Sequence, residues 1–226
     1  MSRFRDHLAR RVLVFDGAMG TATHSHALDL DKDYLGKENC PEVLVQSRPE
    51  LIQSIHDSFL QVGADAVETD TFGANNLVLA EFDLADQTYA INKQAAEIAR
   101  AACDLHATND KPRFVVGSMG PGTKLLTLGH TTWSILFDSY REQARGLVDG
   151  GADLLLIETV QDLLQVKCAI NACLEALDER HKTAEDIPIM VQVTIETTGT
   201  MLLGTEIAAA VTALGRFPIL SLGMNC

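Results

Sequence analysis

Gly150-Gly151-Ala152-Asp153-Leu154-Leu155-Leu156-Ile157-Glu158-Thr159 is the stretch from which the fold is read. An unbroken apolar run behind a glycine-rich turn makes a buried strand, and this one ends on an acid followed by a hydroxyl. The same order occurs earlier, where Gly63-Ala64-Asp65 precedes a strand ending Glu68-Thr69. The later strand is longer by two residues, a full pleat, so both acids keep the same facing. Two equivalent units of one repeating architecture read this way.

Working outward, strand-like runs alternate with segments of helical period. The strands are expected at Val12 to Phe15 (ending on Asp16), Ala66-Val67, Phe114 to Val116, Leu154 to Ile157, Ile189 to Ile195 and Ile219 to Leu222. Ser47, with Glu50 three residues on, predicts a capping box. The helix it opens carries Leu51, Ile55, Phe59 and Val62 on one face and ends at Gly63. Further helices are expected over 85–107, 134–149 and 161–179, with Thr205 capping a short one. Alternation of buried strands with helices implies an α/β fold with a parallel sheet, a (β/α)8 TIM-type barrel. Such a barrel needs eight units and about 250 residues. The expectation is therefore one domain, 1–226, incomplete at its C-terminal end and truncated after about the sixth strand.

Composition narrows the function classes. Hydrophobic residues are 46% of the chain, enough for a core, yet no apolar run approaches a membrane span and the basic N-terminus lacks a secretory apolar stretch. A cytoplasmic protein without a membrane partner is expected. The net charge of −13, with no dense basic cluster, argues against nucleic acid as a partner. Cys40, Cys103, Cys168, Cys173 and Cys226 show no regular spacing, so a disulfide framework is not expected. Cys168 and Cys173, five apart on a helix, read as structural thiols. His24 and His26 read as solvated or turn-stabilising, and Trp133, Phe137 and Tyr140 as the inner face of a helix.

In a barrel the working residues lie at the C-terminal ends of the strands. Those positions hold Asp16, Glu68, Thr69, Ser118, Glu158, Thr159, Glu196 and Cys226. Carboxylates, small hydroxyls and a thiol at one mouth suit an amine-bearing, thiol or metal-linked substrate. Each carboxylate alone could equally cap a helix or pair with a surface cation. The loop Asp16-Gly17-Ala18-Met19-Gly20-Thr21 lets backbone N–H groups approach a small anion, or is an ordinary tight turn.

Five motifs stand in order: DGAMGT at 16–21, ETDTFGAN at 68–75, GSMGP at 117–121, GGADLLLIET at 150–159 and GMNC at 223–226. Together they resemble the homocysteine-binding domain of the homocysteine S-methyltransferase family. The stretch LGKENCPEVLVQSRPELI at 35–52 is similar to the N-terminal domain of its cobalamin-dependent methionine synthase branch. The resemblance implies methyl transfer to homocysteine, giving methionine, with the thiol activated as a zinc thiolate. It gives Asp16, Gly17, Ala18 and Glu158 to the amino-acid end of homocysteine and makes Cys226 a zinc ligand, while Glu68, Thr69 and Ser118 are expected from their strand-end positions to line the site. It implies methylcobalamin as donor, with folate and cobalamin modules of a longer chain as partners. The alternatives are a free-standing enzyme using S-methylmethionine, S-adenosylmethionine or betaine, and an inactive amino-acid-binding fragment. Two departures stand out. Asp70 replaces the family's usual Asn, adding negative charge near the mouth, and the later Cys pair that completes the zinc site is absent. The expected zinc site is therefore incomplete, and this chain alone is expected to be inactive.

Overall fold

Alternate residues along each central strand divide between two environments, and this division builds the molecule. The computed structural model describes residues 2–226. Its elements are α1 (Arg3–Leu8), α2 (Met19–His24), α3 (Leu44–Ser47), α4 (Pro49–Val62), β1 (Ala66–Glu68), α5 (Asn76–Leu79), α6 (Thr88–His106), β2 (Phe114–Met119), α7 (Trp133–Asp149), β3 (Leu154–Val160), α8 (Leu163–Asp178), β4 (Ile189–Val193), α9 (Ile207–Leu214) and β5 (Ser221–Met224). The five strands pair in parallel in chain order, β1-β2-β3-β4-β5. A parallel sheet with a helical crossover between successive strands is the expected α/β architecture.

Val67, Val115, Leu155 and Ile157 face outward and pack in one core with Ala99 of α6, Leu147 of α7 and Ala172 of α8. Ala66, Phe114, Val116, Leu154 and Leu156 face the other way and form a second core. Phe4 of α1 closes that inner core from below, meeting Phe114 edge-on at 5.2 Å between ring centroids and Phe15 at 6.3 Å. Each strand lifts a polar residue above this apolar stack. Glu68, Ser118 and Glu158 follow Ala66, Val116 and Leu156 at the same facing, two residues on. The fold thus makes an apolar plug with a polar layer at the C-terminal strand ends.

The repeated Gly-Ala-Asp segments do the same work twice. Gly63 and Gly151 are both left-handed, with φ of 112° and 97°, which lets the chain turn from helix into strand. The following Asp then clasps the preceding strand. The Asp65 N–H donates to Val14 O at 2.7 Å while its carboxylate accepts the Val14 N–H at 2.9 Å. Asp153 exchanges the same two bonds with Val115, both at 2.8 Å. An arginine neutralises each clasp, Arg11 with two bonds of 2.7 Å to Asp65 and Arg100 with one of 2.8 Å to Asp153.

Several expectations need correction. Val12 to Phe15 is not a regular strand: it makes one bridge, Phe15 to Ala66, with Val12 83% exposed. It pairs on one side only, so the sheet has five strands and a bridged segment, not six strands. Ser47 caps nothing. Its hydroxyl donates to Asp33 O and Val43 O, and Arg48 precedes the helix that opens with Pro49. Glu50 is held by Arg48 instead. Val62 is 85% exposed, whereas Leu51 and Ile55 of the same expected face are buried. Glu206, not Thr205, precedes α9. Trp133 is exposed at the first turn of α7, while Tyr140 is buried and donates to Gly120 O. Among the described residues no helix is long and apolar enough to cross a membrane.

Candidate functional site

At the C-terminal strand ends a cavity of about 470 Å³ is walled by Asp16, Gly17, Ala18, Met19, Glu42, Glu68, Thr69, Asp70, Phe72, Ser118, Glu158 and Cys226, with Gly20 and Pro41 at its side. The structure therefore brings every strand-end residue singled out from the sequence to one place, except Thr159 and Glu196. Glu196 is exposed in the loop after β4. Thr159 lies just behind the wall, bonded to Asn225.

The acids are presented by backbone. Asp16 follows the bridged segment, and its carboxylate accepts the Glu68 N–H at 3.0 Å, which sets the loop against β1. Glu158 sits on β3 where the register with β4 shifts between Ile157 and Val160. Its Oε1 accepts from the Ser118 hydroxyl at 2.6 Å and its Oε2 from Asn225 Nδ2 at 3.2 Å. Ser118 is itself held, since its N–H donates to Thr69 Oγ1, which pairs with Thr71 Oγ1 at 2.6 Å. Gln143 of α7 reaches in behind and donates to Thr71 O. A buried polar chain thus runs from a helix to the carboxylate at the mouth.

No basic side chain contributes to the wall, and the electrostatics follow. Burial raises the Asp16 pKa to about 7, opposed by the Glu68 N–H and helped by the charge of Glu158. Burial raises Glu68 to about 8, with Glu158 and Asp16 adding to it. Asp70 is raised to about 8 by burial and then by Glu42, whose own carboxyl burial also raises. Glu42 Oε1 accepts the Gly73 N–H, while Asp70 Oδ2 has no hydrogen-bond partner among the described residues. Five carboxyls without a counter-cation invite a positively charged ligand group. Gly17 and Ala18 complement them: neither N–H donates to the backbone of the described residues, and both residues are exposed. Together they offer a site for a small zwitterion, anion end on the loop and cation end on the acids.

Cys226 is the one thiol at the mouth. The other four are buried, and burial pushes Cys40, Cys103 and Cys168 up to about 12, so none is a ready thiolate. Among the described residues no three His, Cys, Asp or Glu side chains are grouped to hold a metal ion. A catalytic zinc needs three protein ligands, so the residues present do not fit one. His24 and His26 are exposed and line a neighbouring pocket that shares Gly20 and Pro41 with the mouth.

Sequence reading missed Glu42, Phe72 and Asn225. Glu42 arrives from a single 3-10 turn, 41–43, in a stretch with no strand or helix period to place it. Asn225 sat inside the GMNC motif, overshadowed by the cysteine beside it.

A sequence profile described as Homocysteine S-methyltransferase matches residues 13–226. The chain is 47% identical over 221 residues to methionine synthase of Mycobacterium tuberculosis, covering 98% of this chain and 18% of that protein. It is 47% identical over 219 residues to methionine synthase of Mycobacterium leprae, covering 97% and 18%. The chain spans about a fifth of the length of these relatives. Among solved structures it is similar to the homocysteine methyltransferase MmuM from Escherichia coli. The metallated form has a TM-score of 0.76 at 23% identity, covering 99% of this chain and 77% of that one. The oxidized form gives 0.78 at 24%, covering 99% and 76%. At that identity the likeness establishes a shared fold.

Proposed function

Because the chain belongs to the homocysteine S-methyltransferase family, we propose that it is the homocysteine-binding domain of a methionine synthase, one domain whose five strands and bridged segment form part of a (β/α) barrel. The observation that carries this reading is the acidic mouth with Glu158 held at both oxygens and no basic residue in the wall. Identity of 47% to methionine synthases favours that branch over enzymes with a sulfonium or ammonium donor.

In the proposed complex the substrate carboxylate rests on the Gly17 and Ala18 amides, and its ammonium lies between Asp16 and Glu158. Glu68, Thr69 and Ser118 line the space beneath, and the thiol points toward Cys226. The residues do three things: they bind the zwitterion, they orient its sulfur outward, and they take the charge of the ammonium. Methyl transfer to that sulfur would give methionine, with methylcobalamin as the donor and the folate and cobalamin modules of a longer protein as partners. Cys226 would be one thiolate ligand of a zinc ion. The described residues supply no second or third thiolate, so sulfur activation needs residues beyond those of this site.

Asp16→Asn and Glu158→Gln test the reading in the longer parent protein, where the remaining zinc ligands would be supplied. Each keeps shape but removes one charge-assisted hydrogen bond, worth about 1.5–3 kcal/mol, so homocysteine binds roughly ten- to hundredfold more weakly. Zinc content stays unchanged in both, whereas Cys226→Ser loses metal first. Normal homocysteine affinity in Asp16→Asn, together with lost zinc, overturns the assignment.

A further inference from the structure

We propose that Asn225 is a positioning residue that aims Glu158 at the substrate ammonium and sets it relative to the thiol of Cys226. The inference rests on the proposed reading of the mouth and adds a residue to it. Thr159 has φ of 58°, a left-handed conformation that a β-branched residue adopts only when its surroundings impose it. It lies where β3 slips its register against β4, so the ladder between Ile157 and Val160 is broken there.

The Asn225 carboxamide fills that break from both of its ends. Its Oδ1 accepts the Thr159 N–H at 3.1 Å, and its Nδ2 donates to Thr159 Oγ1 at 2.9 Å and to Glu158 Oε2 at 3.2 Å. Its own N–H donates to Val193 O at 3.3 Å, which ties β5 to β4. One acceptor and two donor N–H bonds on one short planar group are needed here, whereas a carboxylate has no donor and a hydroxyl only one. With Ser118 holding Oε1, Asn225 completes the orientation of Glu158. Cys226 follows by one peptide bond, so the residue that aims the acid also anchors the backbone carrying the thiol.

The test compares two ligands, L-homocysteine and 4-mercaptobutanoate, which lacks the ammonium, titrated into the intact protein. The unmodified protein prefers homocysteine. Asn225→Ala reduces that preference at least tenfold and leaves 4-mercaptobutanoate affinity unchanged. Asn225→Asp keeps acceptors for both Thr159 groups but sets a carboxylate against Glu158, and it reduces the preference too, so the test holds even where the alanine variant fails to fold. Equal weakening of both ligands in the Asn225 variants overturns the proposal, because support of the backbone alone would do that. Glu158→Gln separates the two levels. Preference lost in Glu158→Gln but kept in both Asn225 variants overturns the role of Asn225 and leaves the site reading standing. Preference kept in Glu158→Gln overturns the site reading itself.

Discussion

Lowering the pH from 8 to 6 weakens homocysteine binding about tenfold through Asp16. In the free protein burial raises this carboxyl to about 7, and the charge of Glu158 contributes. An ammonium placed against it favours the ionised form, so the bound state holds Asp16 deprotonated and the proton competes with the ligand. Protonation of a group with pKa 7 divides affinity by 1 + 10^(7 − pH), roughly 11 at pH 6 and 1.1 at pH 8, a difference of about 1.4 kcal/mol. Glu68, raised to about 8, steepens the dependence to the extent that it also ionises on binding. Titration calorimetry in two buffers of different ionisation enthalpy reads both quantities, with close to one proton released per Asp16 site at pH 6. Asp16→Asn abolishes this tenfold pH dependence and removes that proton. Affinity that is constant or rises on acidification, or binding at pH 6 without proton release, refutes the reasoning.

Asp70→Asn stabilises the protein more at pH 8 than at pH 5. The folded Asp70 pKa of about 8 lies above its ordinary value of 3.8, so the folded state holds a proton that the unfolded chain has lost. Stability from this group is complete below about 4 and falls as pH rises toward 8, by up to about 1.4 kcal/mol per pH unit. Thermal midpoints of both proteins across that range check it, and a constant difference contradicts it. Gly146→Ala destabilises by about 1–3 kcal/mol, because a Cβ there would lie 2.6 Å from Tyr89 O and 2.8 Å from Asn92 Cβ, where α7 rides on α6. Urea unfolding reads that loss, and an unchanged midpoint contradicts the close packing. Zinc added to this chain is lost on dialysis, since Cys226 is the one thiol at the mouth. Metal analysis showing one tightly held zinc per chain would reveal a ligand set that the structure does not group.

The β3 and β1 units were legible because a buried strand is a local signal. Gly151-Ala152-Asp153 and Gly63-Ala64-Asp65 carry the turn, the clasp and the facing within a few residues of each other. Helix boundaries came within a few residues for α6, α7 and α8. The first strand was overread because Val12 to Phe15 has strand composition, whereas pairing depends on neighbours that composition does not encode. Ser47 has the right spacing to cap a helix, yet its hydroxyl is spent on Asp33 O and Val43 O, partners distant from the helix start. Strand-end position brought Asp16, Glu68 and Glu158 to the cavity, but it also picked out Glu196, which lies exposed in the loop after β4. Glu42 and Asn225 were not legible, since each acts through side-chain bonds formed across the chain, Glu42 to Gly73 and Asn225 to Thr159 and Glu158.

The most direct test of the central claim is a crystal structure of this protein with L-homocysteine bound. The account predicts the ammonium within hydrogen-bond distance of both Asp16 and Glu158, the carboxylate on the amides of Gly17 and Ala18, and the sulfur on the Cys226 side of the mouth. A homocysteine whose ammonium contacts neither acid, or whose sulfur points down onto Ser118 and Glu68, contradicts it.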